Sequence, residues 1–185
     1  MTKNIRKVSN IRYASIREMD ISNGEGVGVA LFVQGCHFHC YNCFNPDTWD
    51  FNGGKEWTPD TEDKLIELAS RPYIKRLSIL GGEPLADENL DGVLHLVNRF
   101  RLSFPNKSIW IYSGFRWSEI FNDGVYLTKD CDGWKRREIV KKCEVLVDGR
   151  YIDSQRNVQA KWRGSNNQNV IDVQKSLKQG KVVLY

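Results

Sequence analysis

Apolar positions along the chain follow two alternating rhythms. Runs dense in apolar and β-branched residues, VGVALFVQGC (27–36), IKRLSIL (74–80), SIWIYSGF (108–115) and CEVLVDGRY (143–151), read as strands bounded by glycine and polar turns. The segments between them carry a helical period. Thr58 followed by Pro59 supplies a cap and a first helical position, after which Leu65, Leu68 and Ala69 recur on one face. Asp87 is the expected cap of a second helix with Leu90, Val93, Leu94 and Val97 inward, and KRREIVKK (135–142) lies in a third. Strand, helix and strand in series predict a parallel sheet. A closed eight-unit barrel takes about 250 residues, and this chain has 185. The expected fold is therefore α/β, an open partial (β/α) barrel of about four to six units, filling residues 1–185 as a single domain. Residues 150–169 are polar and weakly periodic and read as a long loop, a place where function often sits.

Charge changes this picture little. The formal net charge of +4 is mild and spread along the chain, so neither nucleic acid nor a membrane surface is an expected partner. The stretch MTKNIRKVSNIRYASI has no apolar core of a leader peptide, and no run approaches about eighteen apolar residues. A soluble, cytoplasmic protein is expected. Cysteine usage is more informative: three of five lie within residues 36–43. An odd count in a tight cluster argues against a secreted disulfide framework and for thiolates that hold a metal or do chemistry in a reducing compartment.

The cluster is C-x3-C-x2-C, at Cys36, Cys40 and Cys43, just beyond the C-terminal end of the first of these strands. Three thiolates so placed can converge on one centre. A four-iron cluster normally takes four cysteines, so three would leave one iron open for substrate, as an open position marks a catalytic zinc. A structural zinc with His37 or His39 as fourth ligand fits the same spacing. The second constellation is LGGEPL (80–85), ending the next strand and so sharing the face of the sheet where parallel βα arrays keep their sites. Without side chains at Gly81 and Gly82, main-chain amides and carbonyls can approach a small zwitterion. Alone, the segment also reads as an ordinary strand-to-helix turn.

Together, C-x3-C-x2-C after one strand and GGEP after the next resemble the radical S-adenosylmethionine superfamily. The resemblance implies a 4Fe-4S cluster on Cys36, Cys40 and Cys43, with the amino and carboxylate groups of S-adenosyl-L-methionine on the open iron. It implies that GGEP contacts the methionyl end, which makes Gly81, Gly82 and Glu83 cofactor-site candidates. The residue before the last cysteine, commonly aromatic in the superfamily, is Asn42 here, with Tyr41 one place earlier; Asn42 and Phe44 are the nearest candidates to flank adenine. An electron from the cluster would then cleave the sulfonium to a 5′-deoxyadenosyl radical, the cofactor carrying the hard chemistry. CFNPDTWDF (43–51) further resembles the glycyl-radical activating enzymes. IWIYSGF, VLVDGRY and RGSNNQNVIDV (163–173) are similar to the branch that serves the anaerobic ribonucleoside-triphosphate reductase. That branch implies hydrogen abstraction from a glycine of the reductase's large subunit and a flavodoxin-type electron donor. Activation of another glycyl-radical enzyme, such as pyruvate formate-lyase, is the neighbouring reading, and a zinc-stabilised binding module the non-enzymatic one.

The remaining polar and aromatic residues carry plainer expectations. Cys131 and Cys143 lack C-x-x-C spacing and read as free thiols. His37 and His39 read as loop packing or as hydrogen-bond partners of cluster sulfur, and His95 as structural. KRREIVKK reads as a solvated helix face, with docking to the reductase as the alternative. Trp49, Trp57 and Trp110 read as packing. Arg163, Ser165 and Asn167 are candidates for contacting the cofactor or closing the site.

Overall fold

The computed structural model describes residues 11–121 and 132–185. Seven strands form one open sheet in the order β3-β1-β2-β4-β5-β6-β7. They are β1 (Arg12–Asp20), β2 (Gly28–Val33), β3 (Lys55–Glu56), β4 (Arg76–Gly81), β5 (Ser108–Tyr112), β6 (Val145–Asp148) and β7 (Asn169–Asp172). The helices are α1 (Pro59–Ser70), α2 (Leu90–Ser103), α3 (Trp117–Phe121), α4 (Asp132–Lys141) and α5 (Val173–Gln179). The sheet is mixed: β2, β4, β5 and β6 run parallel, but β1 and β7 are antiparallel additions at its flanks. The wholly parallel expectation is corrected at those edges, where hairpin-like returns need no crossover helix. Among the described residues no helix is long and apolar enough to cross a membrane.

Strand alternation sorts side chains onto two unlike faces. Val29, Leu31, Val33, Leu77, Ile79, Ile109, Ile111 and Leu146 point into the main core, where Leu65, Leu68, Leu90, Val93, Val97 and Phe100 from α1 and α2 meet them. The opposite face carries Ala30, Phe32 and Leu80, with Tyr112 packed alongside. Because β2 is buried on both sides, it reads as an unbroken apolar run and not as alternation. Near one end of that second face, Arg76 is fully buried; its guanidinium reaches Asp20 Oδ1 at 2.8 Å, Ser78 Oγ at 2.5 Å and the Asp20 carbonyl at 2.9 Å. The desolvation of both charges is offset only because each is paired and hydrogen-bonded.

Local chemistry explains the helix ends. Thr58 accepts from the Thr61 amide at 3.2 Å and Pro59 opens α1, as the sequence indicates. Asp87 does not cap α2. It sits in a single 3-10 turn, its carboxylate paired with Arg136, while Asn89 stands at the N-cap position. The Asn89 amide donates to the Gln34 and Glu83 carbonyls at 3.0 and 2.9 Å, tying the two site-bearing loops together. The first part of the basic run on α4 is drawn to its neighbours, Lys135 pairing with Asp91, Arg136 donating to the Leu85 carbonyl and Arg137 to the Ile120 carbonyl, whereas Lys141 is exposed and pairs with Glu138 on the same helix. His95 and Arg99 on α2 and Trp57 all bond the buried Glu62 carboxylate on α1. Cys143 is buried with its thiol donating to the Ile139 carbonyl at 3.3 Å. Cys131 lies outside the described residues.

Candidate functional site

Among the described residues, α1 and α2 pack on one face of the sheet, and the other face walls a cavity of about 600 Å³ at the C-terminal ends of the parallel strands. Cys36, Cys40 and Cys43 all line it. Their loop is zipped to residues 48 and 49: the Gly35 amide donates to the Thr48 carbonyl at 2.8 Å and the Cys36 amide to the Trp49 carbonyl at 3.0 Å. His39 and Asn42 hold positive φ, at 45° and 53°, which bends the loop so that thiols of unequal spacing face one space. His37 and His39 turn elsewhere. The His37 ring packs on Phe51 and bonds Glu88 at 2.9 Å, and the His39 ring packs on Trp49.

Burial pushes the Cys36 thiol up to about 11, against the amides of Phe38 and His39, with the Glu83 charge adding to the rise. Cys40 is likewise raised, by burial and then by Cys43, while the Tyr151 amide and the Arg150 guanidinium pull the other way. Such thiols stay protonated near neutral pH, and a metal that binds them must displace protons.

The GGEP segment reaches the same cavity and is laced to the cysteine strand. The Gly82 amide donates to the Val33 carbonyl at 2.9 Å and the Glu83 amide to the Gly35 carbonyl at 2.7 Å. A Cβ on Gly82 would stand 2.4 Å from the Gly35 carbonyl oxygen, so only glycine allows this approach. Gly81 and Gly82 offer main-chain atoms to the cavity. The Glu83 carboxylate is turned to the scaffold: it accepts from the Leu85 amide, the Ser113 hydroxyl and the Gly114 amide at 2.8, 2.8 and 2.7 Å. Burial pushes it up to about 7 despite those donors. Its place is thus to join the ends of β4 and β5.

Phe44 lines the cavity beside Cys43, whereas Asn42 is exposed, its amide donating to Asp153 at 3.2 Å and its side chain outside the cavity wall. The segment read as a loop, 150–169, folds over the mouth. Gln168 organises it, its side-chain oxygen accepting from the Gly164 and Ser165 amides and its amide donating to the Gly149 carbonyl at 2.9 Å. Arg163 and Gly164 line the cavity; Ser165 is buried and accepts from the Ile152 amide, and Asn167 donates to the Arg150 carbonyl. Trp57 and Trp110 are buried, whereas Trp49 reaches the cavity.

Two cavity residues went unforeseen in their polar role. The Tyr112 hydroxyl and the Trp49 indole N–H are buried without a hydrogen-bond partner among the described residues. Strand alternation in SIWIY, which sets Tyr112 opposite Ile109 and Ile111, was the available signal. Orphaned polar atoms of this kind suit a polar ligand. Among the described residues, no three His, Cys, Asp or Glu side chains close around a single ion; three thiols lining one cavity suit a multi-iron cluster, which takes its cysteine ligands on separate irons. The volume lies within the range of about 300–1,000 Å³ typical of small-molecule sites.

Comparison with known proteins agrees with this geometry. The profile of a family described as "4Fe-4S single cluster domain" matches residues 22–171. The anaerobic ribonucleoside-triphosphate reductase-activating protein of Vibrio cholerae is 34% identical over 85% of this chain and 96% of its own length. The proteins of the same name from Escherichia coli K12 and Enterobacteria phage T4 are each 34% identical over 85% of this chain, covering 96% and 92% of their own lengths. With thiols, glycine-rich edge and cavity in one place, the chain belongs to the anaerobic ribonucleoside-triphosphate reductase-activating protein family, enzymes of the 4Fe-4S single-cluster type.

Proposed function

We propose that this enzyme activates an anaerobic ribonucleoside-triphosphate reductase by reductive cleavage of S-adenosyl-L-methionine at a 4Fe-4S cluster, followed by hydrogen abstraction from one glycine of the reductase. The observation that carries this reading is the meeting of Cys36, Cys40, Cys43 and residues 81–83 in one cavity at the ends of β2 and β4. When bound, the cluster and cofactor supply an electron to the sulfonium and from it a carbon radical strong enough to take a hydrogen atom. The three thiolates would hold three irons and leave the fourth for the cofactor's amino and carboxylate groups. Gly81 and Gly82 would offer main-chain groups to that methionyl end, with Glu83 fixing their position from behind. Phe44 and the backbone around Cys43 would flank adenine, and the unpartnered Tyr112 hydroxyl and Trp49 N–H would take polar atoms of the ligand. Phe32, Leu80 and Trp162 give the cavity apolar walls, which keep water from a reactive intermediate.

In fold terms this is an open partial barrel of the radical S-adenosylmethionine type, its uncovered side admitting a peptide loop. Glycine suits that loop because its Cα has no side chain to block approach. A flavodoxin-type protein in the cytoplasm is the proposed electron donor. The test is anaerobic: reconstitute with iron and sulfide, add dithionite and S-adenosylmethionine, and quantify methionine and 5′-deoxyadenosine. Wild type should make both and Cys40→Ala neither; a cluster-loaded wild type that leaves the cofactor intact ends the reading. Addition of the reductase should then yield a glycyl radical detectable by electron paramagnetic resonance.

A further inference from the structure

Residues 149–151 leave the end of β6 and grip the cysteine loop from outside. The Arg150 guanidinium lies 4.3 Å over the ring of Phe38, which stands between Cys36 and Cys40. The Tyr151 ring lies 5.0 Å from Phe44, the residue after Cys43. Between them, Asn42 donates to Asp153, whose other oxygen takes the Tyr151 hydroxyl at 2.7 Å. The turn is shaped for this hold: Gly149 has a φ of 94°, which favours glycine. It is also braced from behind, by Gln168 donating to the Gly149 carbonyl and Asn167 to the Arg150 carbonyl. A Cβ on Gly164 would stand 2.7 Å from Phe44 and 3.1 Å from Tyr151, so that glycine makes room for the aromatic contact. The RGSNNQ segment therefore supports a strap, and the strap holds one positive charge beside the thiols; Arg150 lines the cavity with all three cysteines.

We propose that residues 149–151 clamp the cysteine loop and that Arg150 is a positioning residue which raises the reduction potential of the cluster. This rests on the cluster reading above. Reduction adds one negative charge to the cluster, so a fixed guanidinium favours the reduced state; net charge and hydrogen bonding at the sulfurs are general determinants of such potentials. Its place over the Phe38 ring holds the guanidinium even though the residue is exposed, and that exposure limits the effect.

The test is a redox titration of reconstituted protein, followed by the electron paramagnetic resonance signal of the reduced cluster. Arg150→Gln should lower the ratio of reduced to oxidised cluster at fixed potential by about three- to tenfold, or about 30 to 60 mV at 59 mV per decade. Arg150→Lys, which keeps the charge and loses the planar stack, should stay within about threefold of wild type. Lys178→Gln on α5, a charge removed away from the cavity, should leave the potential unchanged. Equal potentials for Arg150→Gln and wild type overturn the inference, as does an equal shift from Lys178→Gln. If Arg150→Gln fails to hold iron and sulfide, Arg150→Met decides: a loaded protein with a lowered potential upholds the role of the charge, and a loaded protein with the wild-type potential, or an empty one, reduces the strap to a structural clamp. A wild type that takes up no iron and sulfide defeats the cluster reading itself, an outcome recognised before any potential is measured.

Discussion

Glu83→Gln separates the two forces acting on the centre of the GGEP segment. The wild-type carboxylate is 2% exposed and accepts three hydrogen bonds. Those donors favour its charged form, but burial outweighs them and pushes the group up to about 7 from its ordinary 4.5. A raised carboxylate contributes stability that is whole below pH 4.5 and is lost as pH rises through 7. At about 1.4 kcal/mol per pH unit, the whole loss is about 3 kcal/mol, of which about 2 falls between pH 5.5 and 8. Glutamine cannot ionise, but its single oxygen accepts on one side only, so its NH2 group meets a backbone N–H of Leu85 or Gly114, a cost that does not change with pH. The two proteins should therefore differ by a constant offset in acid and change relative to each other with pH, the variant gaining about 2 kcal/mol on wild type from pH 5.5 to 8. Urea denaturation of the anaerobically reconstituted proteins at several pH values reads this difference directly. Parallel curves would refute the reasoning, for they would mean that the hydrogen bonds from Leu85, Ser113 and Gly114 outweigh burial and hold the carboxylate ionised throughout.

Other consequences are simpler to test. Asp20→Ala leaves the fully buried Arg76 without its carboxylate and should cost about 3–5 kcal/mol by denaturant unfolding, while Asp20→Leu with Arg76→Met should cost less; equal costs would show that the pair itself contributes little. Gly82→Ala forces a methyl against the Gly35 carbonyl and should destabilise by about 1–3 kcal/mol with a matching fall in iron bound per chain, measured by elemental analysis. Cys143→Ala should keep full iron and sulfide and lose on the order of 1 kcal/mol of stability, because its thiol sits in the core away from the cavity; a loss of iron would make it a ligand after all.

Much of the site was legible because its chemistry is contiguous. The cysteines lie within one loop and GGEP within one turn, and each follows a strand whose apolar run is unmistakable. β1 escaped notice because Arg17 and Glu18 interrupt its apolar pattern, which is tolerable in a strand whose outer face meets solvent. Asp87 has the residue type and position of a cap, yet Arg136 from α4 claims its carboxylate, a partner 49 positions away that no local rule includes. The late loop lacked periodicity because its order comes from side chains of Gln168, Asn167 and Arg163 bonded to backbone, an arrangement with no repeat to detect.

By itself the sequence determined the α/β alternation, the spacing of the thiols, the glycine-bearing strand end and the family to which these belong. Each depends on residue type and short spacing, which the chain carries in order. Only the tertiary structure decided that Glu83 faces the scaffold, that His37 and His39 turn away from the thiols, that the Tyr112 hydroxyl and the Trp49 N–H are buried unpartnered in residues of the cavity wall, and that Arg150 reaches Phe38. Those outcomes depend on which surfaces compete for the same space once the sheet closes its apolar face, and that competition is settled by packing among residues far apart in the chain.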